Sequence, residues 1–533
     1  MRCRDGGVLT MGAGALSPHC PVSRRAALGL GLGGTAAILA GPRAAAQGAG
    51  VPRRGGHLRL AGLAGSTADT LDPARMSVAN DFVRGKSFYD GLVALDDAMV
   101  PHPALAERLD TDDFQTWHIT LRRGVTFHDG GPLTASDVVY SLSRHKDPAV
   151  ASQQRIAAQQ MRDIRATGPL TVEIGLVGPN VDFPAILGMD NFAVIRDGTR
   201  NFSSANGTGP FICTGFQPGI RTTGRRNPDY WGAAAWLDTI DLIAISDDMS
   251  RHDALLSGDV DIIGSANPRL VRLLRTRGFG IMESPVGTYT DLAVRLDQVP
   301  GNNADFVTGI KYLVDREQVR DSVFLGFARI GNDHPIPPED PYFAADLPQR
   351  AYDPDRARFH LKRSGMSGKD LAFFCSPAAL ASVDIAVLLQ YAAQRAGMDV
   401  GIRRMPVDGY WSQYWMKMPM SFGNTNARPS ADMAFTLSFS SQASMNESRW
   451  RDPRFDALLL QARGERDDTV RRRIYHDMQA MVRDGSGVCI PAFTTSLDAF
   501  APQVRGLRPN RAGQLMGYGF TRSVWLDDGG THR

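Results

Sequence analysis

The chain of 533 residues carries a formal net charge of +3 at pH 7, and 43% of its residues are hydrophobic and 22% charged. This length exceeds what one simple core accommodates, so we expect two to four structural units. Residues 1–46 hold five arginines and one acid, which leaves the rest of the chain close to neutral. The charge balance therefore indicates no polybasic surface, and we expect no nucleic-acid partner.

The N-terminal segment has the pattern of an export signal. Arg24 and Arg25 precede an apolar, glycine-rich run, and small residues follow at 44–46. We predict a twin-arginine-type signal peptide over residues 1–46, cleaved near Ala46/Gln47, and hence a periplasmic mature protein. The apolar run is shorter than the roughly 20 residues that span a bilayer, which disfavours a membrane anchor.

Neither the cysteines nor the glycine-rich patterns indicate a cofactor. Cys213, Cys375 and Cys489 remain after cleavage and lie far apart in the sequence, so at most one disulfide is possible and small buried hydrophobes are the favoured interpretation. The GLGLGG pattern lies inside the leader with no strand before it. The segment 80–87 ends like a phosphate loop but has Asn80 in place of the first glycine, so neither pattern predicts nucleotide binding.

The mature chain opens with a short alternating segment at 53–63, which predicts a first strand, and a helical pattern follows at 82–92. The segment 116–144 is richer in signals. Alternating apolar residues on both sides of Gly124 predict a hairpin of two strands, with this glycine at the turn that needs a positive φ. Thr134 is placed to cap a helix that follows, with Asp137 in its first turn.

Further elements follow in order. Periodicity predicts a helix over 155–165 and a strand over 170–176. A turn at Pro218-Gly219 separates two strands, and Gly258 is placed to end a helix. Later helices are predicted at 310–316, 357–364 and 469–483.

Several blocks, in this order along the chain, resemble one known family. They are TLDP and YDGLVALDD near the start, LRRGVTFHDGGPLTASDVVYSLSR at 121–144, GTGPF and NPDYWG at 207–232, and DPRFDALL at 452–459. Together they resemble the family 5 extracellular solute-binding proteins, which are receptors of bacterial ABC importers for peptides, nickel chelates and related solutes. The resemblance runs from about residue 53 to residue 500.

The resemblance implies an α/β protein with the two-lobe periplasmic binding protein fold, type II, of the large cluster with an extra subdomain in lobe I. The chain would cross between the lobes near 285–300 and near 488–500, and closure about these crossings would couple ligand affinity to the closed state. The implied ranges are lobe I at 51–290 plus 495–533, an inserted subdomain at about 80–190, and lobe II at 295–490.

The resemblance also suggests where a ligand would bind and how this chain departs from the dipeptide receptors. Those receptors hold the amino end of the ligand with an Asp and its carboxylate with an Arg, both in lobe II. The stretch matched to the Asp is 437–446, which has no acid here, and the stretch matched to the Arg is 375–378, which has no arginine. A free dipeptide held by its two charges is therefore disfavoured.

Aromatic and amide side chains stand nearby in the sequence instead. Two Trp and two Tyr fall within 410–415, and such rings with amides suit a neutral, planar or sugar-like ligand or a peptide held by its backbone. The alternative is that Trp411 and Trp415, four residues apart on a helix, are one core face. Arg428 is a candidate clamp for a carboxylate or an ordinary solvated arginine. The predicted ligand-binding residues are Ser77, Ala79, Asn80, Tyr410, Trp411, Trp415, Asn424, Asn426, Arg428, Ser441 and Gln442.

We therefore expect a periplasmic substrate-binding protein, not an enzyme, that acts as a monomer and delivers a peptide-like or other small polar solute to an inner-membrane ABC permease with separate ATPase subunits. No cofactor and no metal site is predicted: His128 and Asp129 fit a turn, and His334 and His360 fit ordinary polar positions. The alternatives are a receptor that serves a sensor and, less favoured for want of clustered acid, base or nucleophile, a periplasmic enzyme on this fold.

Overall fold

The computed structural model describes residues 51–62 and 65–527. The predicted signal peptide and its cleavage site near Ala46/Gln47 lie outside the described residues. No helix within this described part is both long and apolar enough to cross a membrane.

Nineteen strands are present in the described residues. In chain order they are β1 (His57–Gly62), β2 (Val93–Leu95), β3 (Pro101–Pro103), β4 (Ala106–Asp110), β5 (Thr116–Leu121), β6 (Met161–Gly168), β7 (Thr171–Leu176), β8 (Phe211–Gln217), β9 (Arg221–Arg226), β10 (Thr239–Ala244), β11 (Ile262–Ile263), β12 (Gly280–Val294), β13 (Ala328–Ile330), β14 (Ala372–Cys375), β15 (Gly401–Arg404), β16 (Met420–Thr425), β17 (Val488–Phe500), β18 (Val504–Arg505) and β19 (Trp525–Leu526).

The α-helices of the described residues lie between these strands. They are α1 (Ala79–Phe88), α2 (Ala135–Ser143), α3 (Arg155–Ala158), α4 (Phe183–Leu187), α5 (Asp248–Ser257), α6 (Val271–Thr276), α7 (Ala304–Leu313), α8 (Arg316–Gln318), α9 (Pro354–Arg363), α10 (Ser382–Arg395), α11 (Tyr410–Gln413), α12 (Ala431–Ser438), α13 (Pro453–Gly464), α14 (Asp468–Gly485) and α15 (Gln514–Gly517).

One large mixed sheet extends through the protein, in the order β15-β14-β16-β12-β17-β11-β1-β10-β9-β8, with β13 on β17. At one end, β1 shows why the sheet is covered on both faces. Leu58 and Leu60 point into one apolar core with Ile240 and Phe520, whereas Ala61 points into a second core with Leu274. Alternate side chains of a strand point to opposite faces, so this end of the sheet is buried between two layers and forms the first lobe.

The second lobe has its own cores at the other end of the sheet. Phe373 on β14 and Phe422 on β16 pack with Phe306 of α7 and Leu389 of α10. A further core gathers Phe435 with the apolar sides of α13 and α14. The structure is thus an α/β protein with two lobes, as the resemblance implied.

The long strands β12 and β17 lie side by side in the middle of the sheet and connect its two ends. They pair antiparallel from Gly280 opposite Phe500 to Ala293 opposite Val488, and their register shifts between Pro285 and Tyr289. The ladder of hydrogen bonds is interrupted at such a shift.

The first lobe also carries a four-stranded antiparallel sheet, in the order β4-β5-β7-β6. The predicted hairpin about Gly124 is wrong. Gly124 does have a positive φ of 75°, but β5 pairs with β4 and β7. Both edges of β5 are therefore occupied, and the segment after Gly124 closes on itself, with the Leu133 N–H donating to the Val125 carbonyl at 2.9 Å.

Other local predictions have mixed outcomes. The helix predicted over 155–165 ends at Ala158, because the next residues form β6 and pair with β7. The cap of α2 is confirmed, with the Asp137 carboxylate accepting from the Thr134 N–H at 2.7 Å. The helix end at Gly258 and the turn at Gly219 are confirmed by their positive φ values of 81° and 75°.

The three cysteines of the described chain are all free. Cys375 and Cys489 are buried, as expected for small hydrophobes, whereas Cys213 is half-buried. The structure therefore contains no disulfide among residues 51–62 and 65–527.

Candidate functional site

A cavity of about 1300 Å³ lies between the two lobes. The irregular part of the β12–β17 pair forms its floor, through Val286, Thr288 and Thr494. Its first-lobe wall includes Ser77, Phe82, Lys86, Asp90, Trp231, Arg269, Gln514, Tyr518 and Arg522. Its second-lobe wall includes Phe324, Leu325, Leu380, Asp384, Asn426, Ala427, Arg428 and Pro429.

Asp90 is the central carboxylate of the first-lobe wall. It is buried and accepts from the Arg522 guanidinium at 2.8 Å, the Trp231 indole at 2.9 Å and the Thr208 hydroxyl at 3.0 Å. Burial acts to lower the pKa of Arg522, but the Asp90 carboxylate and the Tyr230 phenol together outweigh burial and raise that pKa. A buried carboxylate with this many donors is satisfied within the protein.

Two of the sequence blocks meet at this carboxylate. Thr208 belongs to GTGPF and Trp231 to NPDYWG, and both reach Asp90 of the YDGLVALDD block. The glycines of GTGPF allow the approach, since a Cβ on Gly207 would lie 2.0 Å from the Phe88 carbonyl oxygen. These motifs therefore build the first-lobe wall.

The HDGG segment supports the same wall from behind. The His128 N–H donates to the Gly207 carbonyl at 2.9 Å, and the His128 Nε2–H donates to the Gly209 carbonyl at 3.0 Å. Burial lowers the pKa of His128. The imidazole therefore acts as a neutral donor to the GTGPF loop, consistent with the predicted turn.

TLDP and the end of α2 are joined in a similar way. Asp72 forms a two-pronged ion pair with Arg144, at 2.6 and 2.8 Å. Both side chains are largely buried. Two parallel charge-assisted bonds fix orientation as well as distance, so this pair holds the inserted sheet against the start of the chain.

Other charged groups of the first-lobe wall are also paired. Lys86 lies 2.7 Å from Asp190, and Asp97 pairs with Arg508. Asp248 accepts from Arg251 at 3.0 Å. Arg269 is exposed and has no ion pair within the described chain.

The second-lobe wall is formed by the loop between β16 and α12. The Ser430 hydroxyl accepts from the Met433 N–H at 3.3 Å and so fixes the start of α12. Residues 426–429 are left as a short loop that lines the cavity. Arg428 in this loop makes one weak contact, from its guanidinium to the Met445 sulfur at 3.6 Å, and its buried Nε has no hydrogen-bond partner among the described residues.

Three of the predicted ligand-binding residues, Ser77, Asn426 and Arg428, line the cavity. The others do not. Asn80 is buried and its amide packs against Gly62, and Ala79 begins α1 beside it. Asn424 faces away, with its amide donating to the Tyr289 carbonyl at 3.0 Å. Ser441 and Gln442 lie in the segment after α12, and no residue of 437–446 lines the cavity.

The aromatic cluster also lies apart from the cavity wall. Tyr410 is fully buried in the second-lobe core, where its hydroxyl donates to the Phe422 carbonyl at 2.6 Å. Trp411 and Trp415 meet edge to face at 5.4 Å, with Trp411 on the surface. The helix α11 has four residues and ends before Trp415, so their contact is not that of one long helix face.

A pair of buried carboxyl groups lies behind the second-lobe wall. Asp291 on β12 stands opposite Gly423 on β16, where a Cβ would lie 2.3 Å from the Glu447 carboxyl, so the glycine leaves room for that group. The two carboxyls contact each other. Burial raises the pKa of each, and the neighbouring Asp291 charge raises that of Glu447 further. One proton shared between them satisfies this geometry.

No group of three or more His, Cys, Asp and Glu side chains in the described ranges is arranged to hold a metal ion. His360 pairs with Asp305 at 2.7 Å on the surface of α9. His334 is buried beside Phe343, and burial lowers its pKa to about 4. Neither histidine lines the cavity.

Comparison with known proteins agrees with this architecture. Residues 100–447 match the family model of bacterial extracellular solute-binding proteins, family 5. The chain belongs to this family.

Relatives and solved structures extend the match over most of the chain. The dipeptide-binding protein of Escherichia coli K12 is 24% identical over 76% of this chain and 83% of its own length, and the heme-binding protein A of Haemophilus influenzae is 23% identical over 76% and 81%. The periplasmic binding protein DppA of Helicobacter pylori, solved with the peptide STSA, has a TM-score of 0.77 and 23% identity over 89% of this chain and 99% of its own. As a family 5 member, this protein is a solute-binding receptor.

Sequence reasoning missed the Asp90 cluster of this family 5 receptor. Asp90 did stand inside a family block, which was a usable signal. The partners gave no signal, because Arg522 lies 432 residues away in sequence.

Proposed function

We propose that this receptor captures a small polar solute, such as a peptide-like molecule, between its two lobes and delivers it to an inner-membrane ABC permease whose ATPase subunits are separate chains. The observation that carries the proposal is the cavity of about 1300 Å³ with walls from both lobes. Its volume exceeds that of ordinary small-molecule sites and accommodates an oligopeptide-sized ligand. The relatives are named for dipeptide and heme, so membership of the family leaves the ligand open.

The receptor works as a periplasmic monomer in this proposal, after removal of the twin-arginine-type leader near Ala46/Gln47. It binds and releases its solute without covalent chemistry. A solute held between two lobes is sequestered from water, and release then depends on opening of the lobes.

The hinge is proposed at the crossings of β12 and β17. Lobe I comprises 51–290 and 495–533, with the inserted subdomain at about 80–190, and lobe II comprises 295–490. The register shift between Pro285 and Tyr289, at the cavity floor, supports this position. A few residues at such an irregularity can absorb the rotation of closure.

Ser77, Asn426 and Arg428 are the predicted contacts that we carry forward, because they line the cavity from opposite walls. Ser77 and Asn426 are exposed and free to hydrogen-bond a polar solute. Contacts on both walls would make binding depend on the closed arrangement.

A thermal-shift screen of the mature protein, from Gln47, tests the proposal. The library holds di- to pentapeptides, small organic acids, sugars and nickel chelates, and mass spectrometry of denatured protein identifies any solute that co-purifies. A ligand at 100 times its dissociation constant adds about 2.7 kcal/mol of stability. Absence of any stabilising solute and of any co-purified molecule would argue against a receptor of this kind.

A further inference from the structure

The loop between β16 and α12 presents an arginine without a counter-ion to the cavity. The Arg428 side chain is half-buried, its Nε is fully buried, and its one hydrogen bond is the weak contact to the Met445 sulfur. No ion pair to Arg428 exists in the part of the chain that the structure describes. Burial disfavours the charged form and lowers the pKa of this guanidinium.

The titratable neighbour of Arg428 is the Tyr289 phenol. Burial raises the pKa of Tyr289, so the phenol is neutral at pH 7 and provides no negative charge. The carboxyls of Asp291 and Glu447 contact each other instead. Arg428 is therefore a half-buried cation at the cavity wall for which the described residues provide no counter-ion.

Other charged residues that line the cavity differ from Arg428 in pairing or in exposure. Lys86, Asp90 and Arg522 all have protein partners within 3 Å. Arg269 and Asp384 lack ion pairs among the residues described, but both are exposed and keep their water. A charge that has lost part of its water and gained no partner is costly, unless something outside the protein provides the partner.

We propose that the ligand bears an anionic group, with a carboxylate as the best fit, and that this group pairs with Arg428. The planar guanidinium can donate two parallel hydrogen bonds to a carboxylate, which adds orientation to charge. This inference rests on the proposed receptor function and specifies the class of solute. The loop 426–429 then selects the ligand by charge.

The test uses pairs of probes in the same thermal-shift and calorimetric assays: peptides and small organic acids as free acids and as their amides, and phosphomonoesters with their parent alcohols. For wild-type protein we expect the free acid to bind at least about 10-fold more tightly than its amide. Arg428→Met should weaken binding of the free acid by about 10- to 100-fold, which corresponds to the loss of a charge-assisted hydrogen bond. The variant should also bind the acid no more tightly than the amide. A phosphomonoester that depends on Arg428 would support the anionic anchor and identify phosphate as its source.

Two variants provide the comparison. Arg404→Met removes one positive charge from an exposed position on β15, outside the cavity wall, and should bind as wild type does. Arg269→Met tests the exposed arginine of the first-lobe wall. The proposal is overturned if Arg428→Met binds acids as wild type does, if Arg269→Met alone removes the preference, or if acid and amide bind equally.

A second measurement needs no known ligand. Wild type and Arg428→Met are both unfolded and refolded to remove any co-purified solute. The variant should then have the higher melting temperature, because an uncompensated charge is replaced by an apolar chain of similar length. A melting temperature lowered by several degrees would show a structural role and overturn the proposal. Binding of uncharged solutes alone would refute the anionic anchor and leave the receptor function standing, whereas no binding by any solute would refute the receptor function.

Discussion

Charge is handled differently on the two walls of the cavity. On the first-lobe wall, the buried Asp90 and its neighbour Arg522 are held in a network with Trp231 and Thr208. On the second-lobe wall, Arg428 has a sulfur atom as its hydrogen-bond partner. The first wall is complete without a ligand, and the second is completed by one in our proposal.

This contrast separates the groups that build the scaffold from the groups that select a ligand. Groups that satisfy each other fix the shape of a wall but have little left to offer a solute. A group that stays unsatisfied stores binding free energy, which an incoming ligand of the right charge can recover. Four sets of variants, given from the largest expected effect to the smallest, test this contrast.

Asp90→Asn should have the largest effect. It keeps the side-chain shape but removes the charge that balances Arg522. Because Arg522 keeps 33% of its side chain exposed, we expect a loss of about 3 kcal/mol, the lower end for one-sided removal of a buried ion-pair partner. Urea unfolding of ligand-free protein measures this loss. Asp384→Asn, at an exposed position of the opposite wall, should stay within about 0.5 kcal/mol of wild type. Equal stabilities of Asp90→Asn and wild type would show that the first wall is not self-balanced.

Gly207→Ala should destabilise the same wall by about 2 kcal/mol, because the new methyl group would meet the Phe88 carbonyl oxygen at 2.0 Å and force the backbone apart. Urea unfolding again provides the measurement. Gly178→Ala is the matched control, since a Cβ there has nothing within 4 Å. Similar stabilities of the two variants would contradict the close packing of the GTGPF loop.

The buried carboxyl pair predicts a pH dependence that originates in the second lobe. The pKa values of Asp291 and Glu447 are raised in the folded protein, so the folded state holds protons that the unfolded state has already lost. Their contribution to stability is therefore present at low pH and declines as pH rises above about 4. Glu447→Gln should flatten the decline and stabilise the protein at pH 8 by at least about 1.4 kcal/mol, the value of one pKa unit.

Melting curves from pH 5 to pH 8 check this expectation, with Glu107→Gln on β4 as the exposed control. If the melting temperature of Glu447→Gln declines with pH as steeply as that of the wild type, the pair does not retain a shared proton.

Trp411→Ala should have the smallest effect. Trp411 is 41% exposed and does not line the cavity, so we expect less than about 1 kcal/mol of lost stability and an unchanged ligand affinity. Asn426→Ala, on the cavity wall, should weaken binding about 3- to 10-fold through a lost hydrogen bond. Calorimetric titration of both variants with the same solute compares them. Weaker binding by Trp411→Ala than by Asn426→Ala would restore the aromatic cluster as the ligand site.

Local signals in the sequence predicted much of the secondary structure. Asp137 caps α2, Gly258 ends α5 and Gly219 turns between β8 and β9, because each of these features depends on residues within four positions of one another. The hairpin about Gly124 failed for the opposite reason. Whether Val125 and Phe127 form a strand depends on a free sheet edge, and β4 and β7 occupy both edges of β5.

The candidate site was likewise predicted only in part. The sequence singled out Asn426 and Arg428 in an amide-rich loop, but it also matched the Asp-bearing stretch of the dipeptide receptors to 437–446 and included the aromatic residues of 410–415 among the predicted contacts. Helix α12 starts at Ala431 and carries the following segment away from the cavity. The position of that helix in the second lobe decided which loop faces the solute.

The family, the two-lobe α/β fold, the capped helices and the tight turns all follow from the sequence alone, because ordered motifs and short-range chemistry depend on neighbouring residues. The tertiary structure was needed to show that distant blocks meet at the Asp90 carboxylate, that the loop 426–429 lines the cavity, and that Arg428 has no counter-ion among the described residues. These features depend on contacts between residues that are far apart in the sequence. Burial and the pairing of charges arise from such contacts, so no single segment of the sequence contains them.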